Sequence, residues 1–286
     1  MALAIFMAHT ISAMLGGLLL MGLHRKIIAR IQQRPGPPVW QELLHAFKFF
    51  FKETVTPKTA SEPLYSGIVL LHMALMIGAL LVILLGESLL IFMALLMIYK
   101  IVQHGAGLSS GSPYGRYAGV RSIFSISSEV PMFAALAPIY ALTGSLRLSE
   151  IIIYQSSNGA LITKIPLAAV AMYILLLSKV RWSPFDIASS KDLISGYKTE
   201  HYGVLRSILL FAEGIGLYAV LWLFMALFFG ELSPLLYVLG GLLLLVSLSF
   251  FCALTPVLTP HQSVILQIAF GALMLLYAVL IYQGVV

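Results

Sequence analysis

Apolar runs of about the length needed to cross a bilayer recur along this chain, parted by short polar stretches. Residues 2–23 and 235–254 are two such runs, and ~20 apolar residues suffice to span the hydrocarbon core. The pattern predicts eight spans, at 2–23, 65–86, 88–103, 120–144, 163–181, 203–229, 235–255 and 263–284. The third follows Gly86-Glu87 at once, which predicts a tight hairpin. After the first span, Trp40, Leu43, Leu44, Phe47, Phe50 and Phe51 fall on one helical stripe. Gln41, His45, Lys48 and Lys52 fall on another. Such a helix is suited to lying in the membrane interface, or to packing on a soluble partner. No internal repeat is visible, so the inverted-repeat architecture of many transporters finds no support.

Composition agrees: 60% of the residues are hydrophobic and 10% charged, which excludes an ordinary soluble domain. The expected fold is an all-α polytopic membrane protein, a single transmembrane domain over residues 1–286. Its first segment is too long and too weakly charged at its start for a cleaved signal peptide, and is expected to be retained. The lone Cys252 excludes a disulfide framework and a cysteine metal site.

Charge then orients the chain. With eight spans, the loops at 24–64, 104–119, 182–202 and 256–262 share one side. Counted with their flanks they hold all of the 17 Lys and Arg residues except Arg147 and Lys164. By the positive-inside rule that side is cytoplasmic, in a multi-pass protein of the cell membrane with both termini outside.

Two carboxylates fall inside spans, Glu129 and Glu213. An ionised side chain at the bilayer centre costs roughly 2.5–3.5 kcal/mol, so such groups face a partner or a wet cavity. Arg121, Ser125, Ser128 and Glu129 share one helical face. Pro131 follows, able to free a backbone carbonyl and loosen the helix. Glu213 lies two turns beyond Arg206, roughly 10 Å deeper. Each helix thus places a basic residue at its edge and an acid further in. That is the pattern of a hydrated proton or cation route, or of two neutral acids capping neighbouring helices. His9 and His72 have no ligand-spaced neighbours, and interhelical hydrogen bonds are the expected role. Gly105, Gly107 and Gly111 form a Ser-Gly loop without the Lys-Ser/Thr of a phosphate loop. No nucleophile–base pattern or metal site is recognisable, so no catalytic residue is assigned. In the first basic loop, Arg25, Lys26, Arg30 and Arg34 are explained as topological anchors. Gln32, Gly36 and Pro37 ahead of Lys52-Glu53 are not.

Those unexplained residues carry a resemblance. Arg25-Lys26 with Gln32, Arg34, Gly36 and Pro37, then Lys48, Lys52-Glu53 and Pro57, resemble the first loop and amphipathic helix of the H-type membrane subunit of respiratory complex I. Tyr117, Gly119 and Arg121, with Ile126-Ser127-Ser128-Glu129-Val130-Pro131, are similar to its central helix. Pro184-Phe185-Asp186, Gly196, Glu200, Tyr202-Gly203 and Ala212-Glu213 are similar to its third loop and the helix after it. The family extends to membrane-bound hydrogenases and formate hydrogenlyases.

The resemblance implies a non-catalytic subunit that anchors a peripheral redox arm to an ion-translocating membrane arm. Glu129, Glu213, Glu200 and Asp192 would be the ion-path carboxylates, and Arg121 and Arg206 would tune their charge. Arg25, Lys26, Arg34, Lys52 and Asp186 would dock the redox arm. The implied partners are peripheral iron–sulfur and hydrogenase-like large subunits and antiporter-like membrane subunits. Iron–sulfur clusters, and in hydrogenase relatives a NiFe centre, would reside in those partners. Departures favour the hydrogenase branch. His24 stands where complex I has an acid, and Lys179, Arg181 and Trp182 replace an acid and Asn-Arg. Ala188-Ser189-Ser190-Lys191-Asp192 replaces an acid-rich run, leaving Asp192 as its carboxylate. Two alternatives stand: a stand-alone secondary ion transporter, and a purely structural anchor within the same complex.

Overall fold

The computed structural model describes residues 2–188 and 196–284. The first helix, α1 (Ala2–Ile31), has 30 residues, about 45 Å of helix against a hydrocarbon core of about 30 Å. Its last turns therefore stand clear of the apolar layer. The short helix α2 (Gln41–Phe50) follows, then α3 (Glu62–Leu84) and α4 (Leu89–Ser109). The fourth span is built from α5 (Pro113–Phe124), a 3-10 turn over Ser125–Glu129, and α6 (Val130–Thr143). Next come α7 (Leu148–Asn158), α8 (Leu161–Lys164) and α9 (Pro166–Lys179). A second 3-10 turn at Tyr197–Glu200 leads into α10 (Val204–Phe229), α11 (Pro234–Leu254) and α12 (Pro260–Tyr282). Seven helical stretches are long and apolar enough to cross a membrane, and α9 is a shorter apolar helix. Among the described residues the chain is helical, as expected, and each predicted span has its helix.

Loop contacts sort the chain into two faces. On the face carrying the basic loops, Thr59 donates to the Ser110 carbonyl at 2.6 Å and Tyr65 to the Glu200 carbonyl at 2.6 Å. The Leu258 amide donates to Pro184 O at 2.9 Å. The opposite face joins the α3–α4 hairpin to the α6–α7 link, where Leu89 N donates to Leu146 O and Ser149 N to Gly86 O. Connections after odd-numbered spans meet on one side and those after even-numbered spans on the other, which is what eight crossings require.

Three details differ from the sequence pattern. The helices α4 and α5 run to Ser109 and from Pro113, so the expected glycine loop at 104–119 is a helical hairpin. A Cβ on Gly107 would sit 2.8 Å from Gly119 Cα; these glycines let two backbones touch. The helix α7 was not foreseen. Gln155 fastens it, donating to Ala226 O at 3.2 Å and accepting from Leu161 N at 3.2 Å.

The third detail is the 3-10 turn. Ser122, Ser125, Ser127 and Ser128 each donate to the carbonyl three residues back, at 2.6–2.8 Å. Hydroxyls competing for backbone carbonyls favour the tighter turn. Pro131 sits in the first turn of α6, where a missing N–H costs nothing. The α-helical face expected to carry Arg121 and Glu129 together is therefore rotated apart.

At the centre stands α10, buried on most of its circumference, as suits a helix apolar all round. It packs against α1 so closely that a Cβ on Gly17 would lie 1.9 Å from Gly214 O. By contrast, α11 and α12 keep Leu235, Leu243, Leu254 and Leu276 largely exposed, an apolar outer wall. The helix α2 turns Glu42, Ala46 and Phe49 to the protein and leaves Trp40, Leu44, Phe47, Phe50 and Phe51 exposed. Its greasy stripe faces away from the bundle, as an interfacial helix requires.

A charge ladder and a polar cavity at the basic end

Between α1, α3, α4, α9 and α10, at the basic end, lies a cavity of about 70 Å³. That is room for several waters. Its polar lining comes from Lys100 and Gln103 on α4, Lys179 at the end of α9, Arg181, Asp186 and Lys198 in the following link, and Glu213 on α10.

A ladder of alternating charge runs into it from the surface. Arg25 Nη1 lies 3.0 Å from Glu42 Oε1, and Glu42 Oε2 lies 2.9 Å from Arg181 Nη1. Arg181 Nη2 is 3.3 Å from Glu213 Oε2, and Glu213 Oε1 is 2.5 Å from Lys198 Nζ. The Tyr197 hydroxyl donates to Glu213 at 3.3 Å and accepts from Gln103 Nε2 at 2.9 Å. Glu42 is only 3% exposed. Burial pushes its carboxyl up, but Arg181 and Arg25 together outweigh that and hold it below its ordinary value. His45 beside it is pushed down, chiefly by burial.

The second acid, Glu129, is fully buried. Lys179 Nζ meets its Oε1 at 2.8 Å, and the Ser128 hydroxyl oxygen lies 2.5 Å from its Oε2. The neighbouring Ser127 hydroxyl bonds the Gln267 side chain on α12. Two intramembrane acids, Glu129 fully buried and Glu213 half-buried, are thus met by cations from the α9–α10 region. Arg121 instead donates from Nε to Ile187 O at 3.0 Å and stacks 5.8 Å from the Tyr117 ring. Arg206 lies 4.5 Å from the Phe49 ring. The described ion pairs of Glu129 and Glu213 are made across helices, with Lys179, Lys198 and Arg181.

The remaining expected site residues are scattered. Glu200 is half-buried against Gly115 on α5 and does not line the cavity. Asp192 lies outside the described residues. Arg25, besides its ion pair, lies 5.5 Å from the Trp182 ring. Lys26 is half-buried and Arg34 exposed. Lys52 donates to Tyr202 OH at 2.8 Å. Asp186 accepts from Trp182 N at 3.1 Å and lines the cavity.

His24, the replacement for an acid, bridges three elements: its ring nitrogens lie 2.8 Å from Ser249 Oγ on α11 and 2.9 Å from Arg181 O. His72 overturns its expected hydrogen bond. It is fully buried with neither ring nitrogen bonded, packed 4.3 Å from the Tyr99 ring. His9 lies edge-on to Trp222 at 6.0 Å.

Lys100, Gln103, Tyr197, Lys198 and Glu42 were missed as site residues. For Lys100 a signal existed: a charge inside a predicted span is as telling for a cation as for an acid. For the others it did not, because their roles depend on which loop folds inward. Among the described residues no group of three or more His, Cys, Asp or Glu side chains could hold a metal ion.

The comparisons with known proteins agree with this geometry. A family model for NADH dehydrogenase matches residues 3–283. A putative NADH-ubiquinone oxidoreductase of Methanocaldococcus jannaschii is 50% identical over 270 residues, 93% of this chain and 92% of the relative. The H subunit of the NADH-quinone oxidoreductase of Bacillus cytotoxicus is 28% identical over 231 residues, covering 74% of this chain and 69% of its own. A chain in the structure of the membrane-bound sulfane sulfur reductase, an archaeal respiratory membrane complex, superposes with a TM-score of 0.85 at 26% identity. That match covers 96% of this chain and 98% of that one. The chain belongs to the NADH dehydrogenase family, as a multi-pass membrane protein of the H type and a membrane component of a complex I-like assembly.

Proposed function

We propose that this subunit docks a peripheral redox arm on its basic face and couples electron transfer there to movement of H⁺ or Na⁺. The observation that carries the reading is the pair of intramembrane carboxylates, Glu129 and Glu213. Each is held by cations at the edge of one polar cavity that the surface ladder enters. Charge movement at the docking face reaches Glu213 through two ion pairs. Arg25, Lys26, Arg34 and Lys52 are the docking cations, and the basic face is cytoplasmic by charge asymmetry. Iron–sulfur and hydrogenase-like large subunits carry the electrons, and antiporter-like subunits continue the membrane arm. Glu200 and Asp192 extend the path toward the surface, and Arg121 and Arg206 act on the acids at longer range. Protons, a quinone and a sulfur compound are the candidate electron acceptors, and the likeness to the sulfane sulfur reductase chain supports the last.

The test uses the purified complex in proteoliposomes, with reduced viologen as donor and protons, a quinone and polysulfide offered in turn as acceptor. Glu129→Gln and Glu213→Gln should leave electron transfer running while ion uptake per electron collapses. Unchanged uptake would overturn the reading. It would favour a second reading, a structural anchor, which the pairing of both acids with cations also supports.

A further inference from the structure

Among the cations lining the cavity, Lys100 differs. It is 4% exposed, yet no hydrogen bond or ion pair holds its ammonium among the described residues. Lys179 has Glu129, Lys198 has Glu213, and Arg181 has both Glu42 and Glu213. An ammonium buried without a carboxylate is costly, and cavity water is what remains to solvate it. Lys100 lines the same cavity as Lys179, which is bonded to Glu129, and as Glu213 with its partners Lys198 and Arg181.

The lining also bears on which ion can pass. Among the described residues, the four cations Lys100, Lys179, Arg181 and Lys198 are matched by four acids, Asp186 and Glu213 in the lining and Glu129 and Glu42 paired behind Lys179 and Arg181. A hard cation needs a shell of free oxygen ligands. Both Glu213 oxygens are taken by cations or hydroxyls, and Asp186 accepts a backbone amide. An incoming Na⁺ would have to displace an ammonium or guanidinium. A proton crosses through water and needs no such shell.

We propose that Lys100 is a proton-carrying group linking the Glu129 and Glu213 ion pairs, and that the cavity around it, whose lining carboxylates are already engaged, excludes Na⁺. This rests on the reading of those two acids as path residues. In the releasing step an N–H bond of the ammonium breaks, its electron pair stays on nitrogen, and an O–H bond forms on an adjacent cavity water. The reverse step reloads it. Lysine can do this where arginine cannot, since a guanidinium does not lose its proton in proteins.

The experiment takes the whole complex in the same proteoliposomes, reading internal pH and radioactive Na⁺ uptake for Lys100→Arg, Lys100→Met and Lys100→His. Lys100→Arg and Lys100→Met should each lower proton uptake per electron about a hundredfold, the lower end of the range for a positioned proton-transfer group. Lys100→His should restore part of it with an optimum at lower pH, following the lower pKa of imidazole. Other groups facing the site (Tyr99, His72, Tyr197, Lys179, Lys198, Asp186, Glu129 and Glu213) are unchanged in all variants. If Lys100→Arg pumps like the parent, only a fixed charge is needed and the proposal falls. Redox-driven Na⁺ uptake through the parent complex that Glu213→Gln abolishes would sink it too. Because Lys100→Arg keeps the charge and Lys100→His keeps a group able to lose its proton, that pair decides the matter even where Lys100→Met does not assemble. Loss of uptake in Glu129→Gln and Glu213→Gln with normal uptake in Lys100→Arg would remove Lys100 and leave the wider function standing.

Discussion

Glu42, on the surface helix, and Glu213, inside a membrane span, share one guanidinium. Arg181 reaches the first through Nη1 at 2.9 Å and the second through Nη2 at 3.3 Å. The fork geometry of arginine makes this possible, because its donors diverge in a fixed plane.

Replacing Arg181 by Met leaves two acids short of a partner. Breaking a buried pair by removing one side costs about 3–5 kcal/mol, so the complex should melt markedly earlier. Arg181→Lys should recover little of the loss, since a point charge cannot hold two carboxylates in divergent directions. Thermal unfolding of the purified complex reads both, and full recovery by lysine would refute the shared-fork account.

The Lys179–Glu129 pair makes a separable prediction. Lys179→Met strands a carboxylate with no solvent exposure and should destabilise by about 3 kcal/mol or more. Adding Glu129→Gln should return most of that stability. A double-mutant cycle with additive losses would show that the two do not interact.

His201 is fully buried and stacked 4.3 Å from the Tyr65 ring at 13°. The backbone of Tyr197 and Tyr65 approaches its ring without reaching hydrogen-bonding geometry. Burial pushes its pKa from 6.5 down to about 4. The unfolded chain therefore binds the proton first. The stabilisation is fully present above pH 6.5 and is lost as pH falls toward 4, in total ~3 kcal/mol. His201→Phe keeps the stack and removes the titration. Melting temperatures followed from pH 7.5 to 5 should fall less steeply in the variant than in the parent.

Neighbouring glycines in α1 offer an internal control. On Gly17 a Cβ would collide with the Gly214 backbone, with Cα at 2.8 Å, whereas on Gly16 it would meet only the Tyr218 ring at 3.8 Å. Gly17→Val should push α1 off α10 at a cost of about 1–3 kcal/mol or more. Gly16→Ala should be near neutral. Equal yields of assembled complex from the two would contradict the close backbone crossing.

Much of the architecture was legible because its cause is local. Span length, the positive charge of alternate loops and the apolar stripe of α2 each come from a few consecutive residues meeting water or lipid. The acids were legible too, since Glu129 and Glu213 are out of place in apolar runs. Their partners were not. Arg121 and Arg206 share a helix with the acids, yet the described ion pairs come from Lys179, Lys198 and Arg181. A serine-driven 3-10 turn rotated the first arrangement, and an inward-folding link between α9 and α10 supplied the second.

By itself, then, the chain determined how many times it crosses the membrane, which face carries its charge and which acids lie within. Transfer free energy acts residue by residue along a helix, so those outcomes follow from the order of side chains. Only the tertiary structure decided that one guanidinium joins Glu42 to Glu213, that Asp186 lines the cavity, and that Lys100 has no carboxylate partner among the described residues. Coulomb energy depends on distance between side chains far apart in sequence, and that distance exists only once the helices have packed.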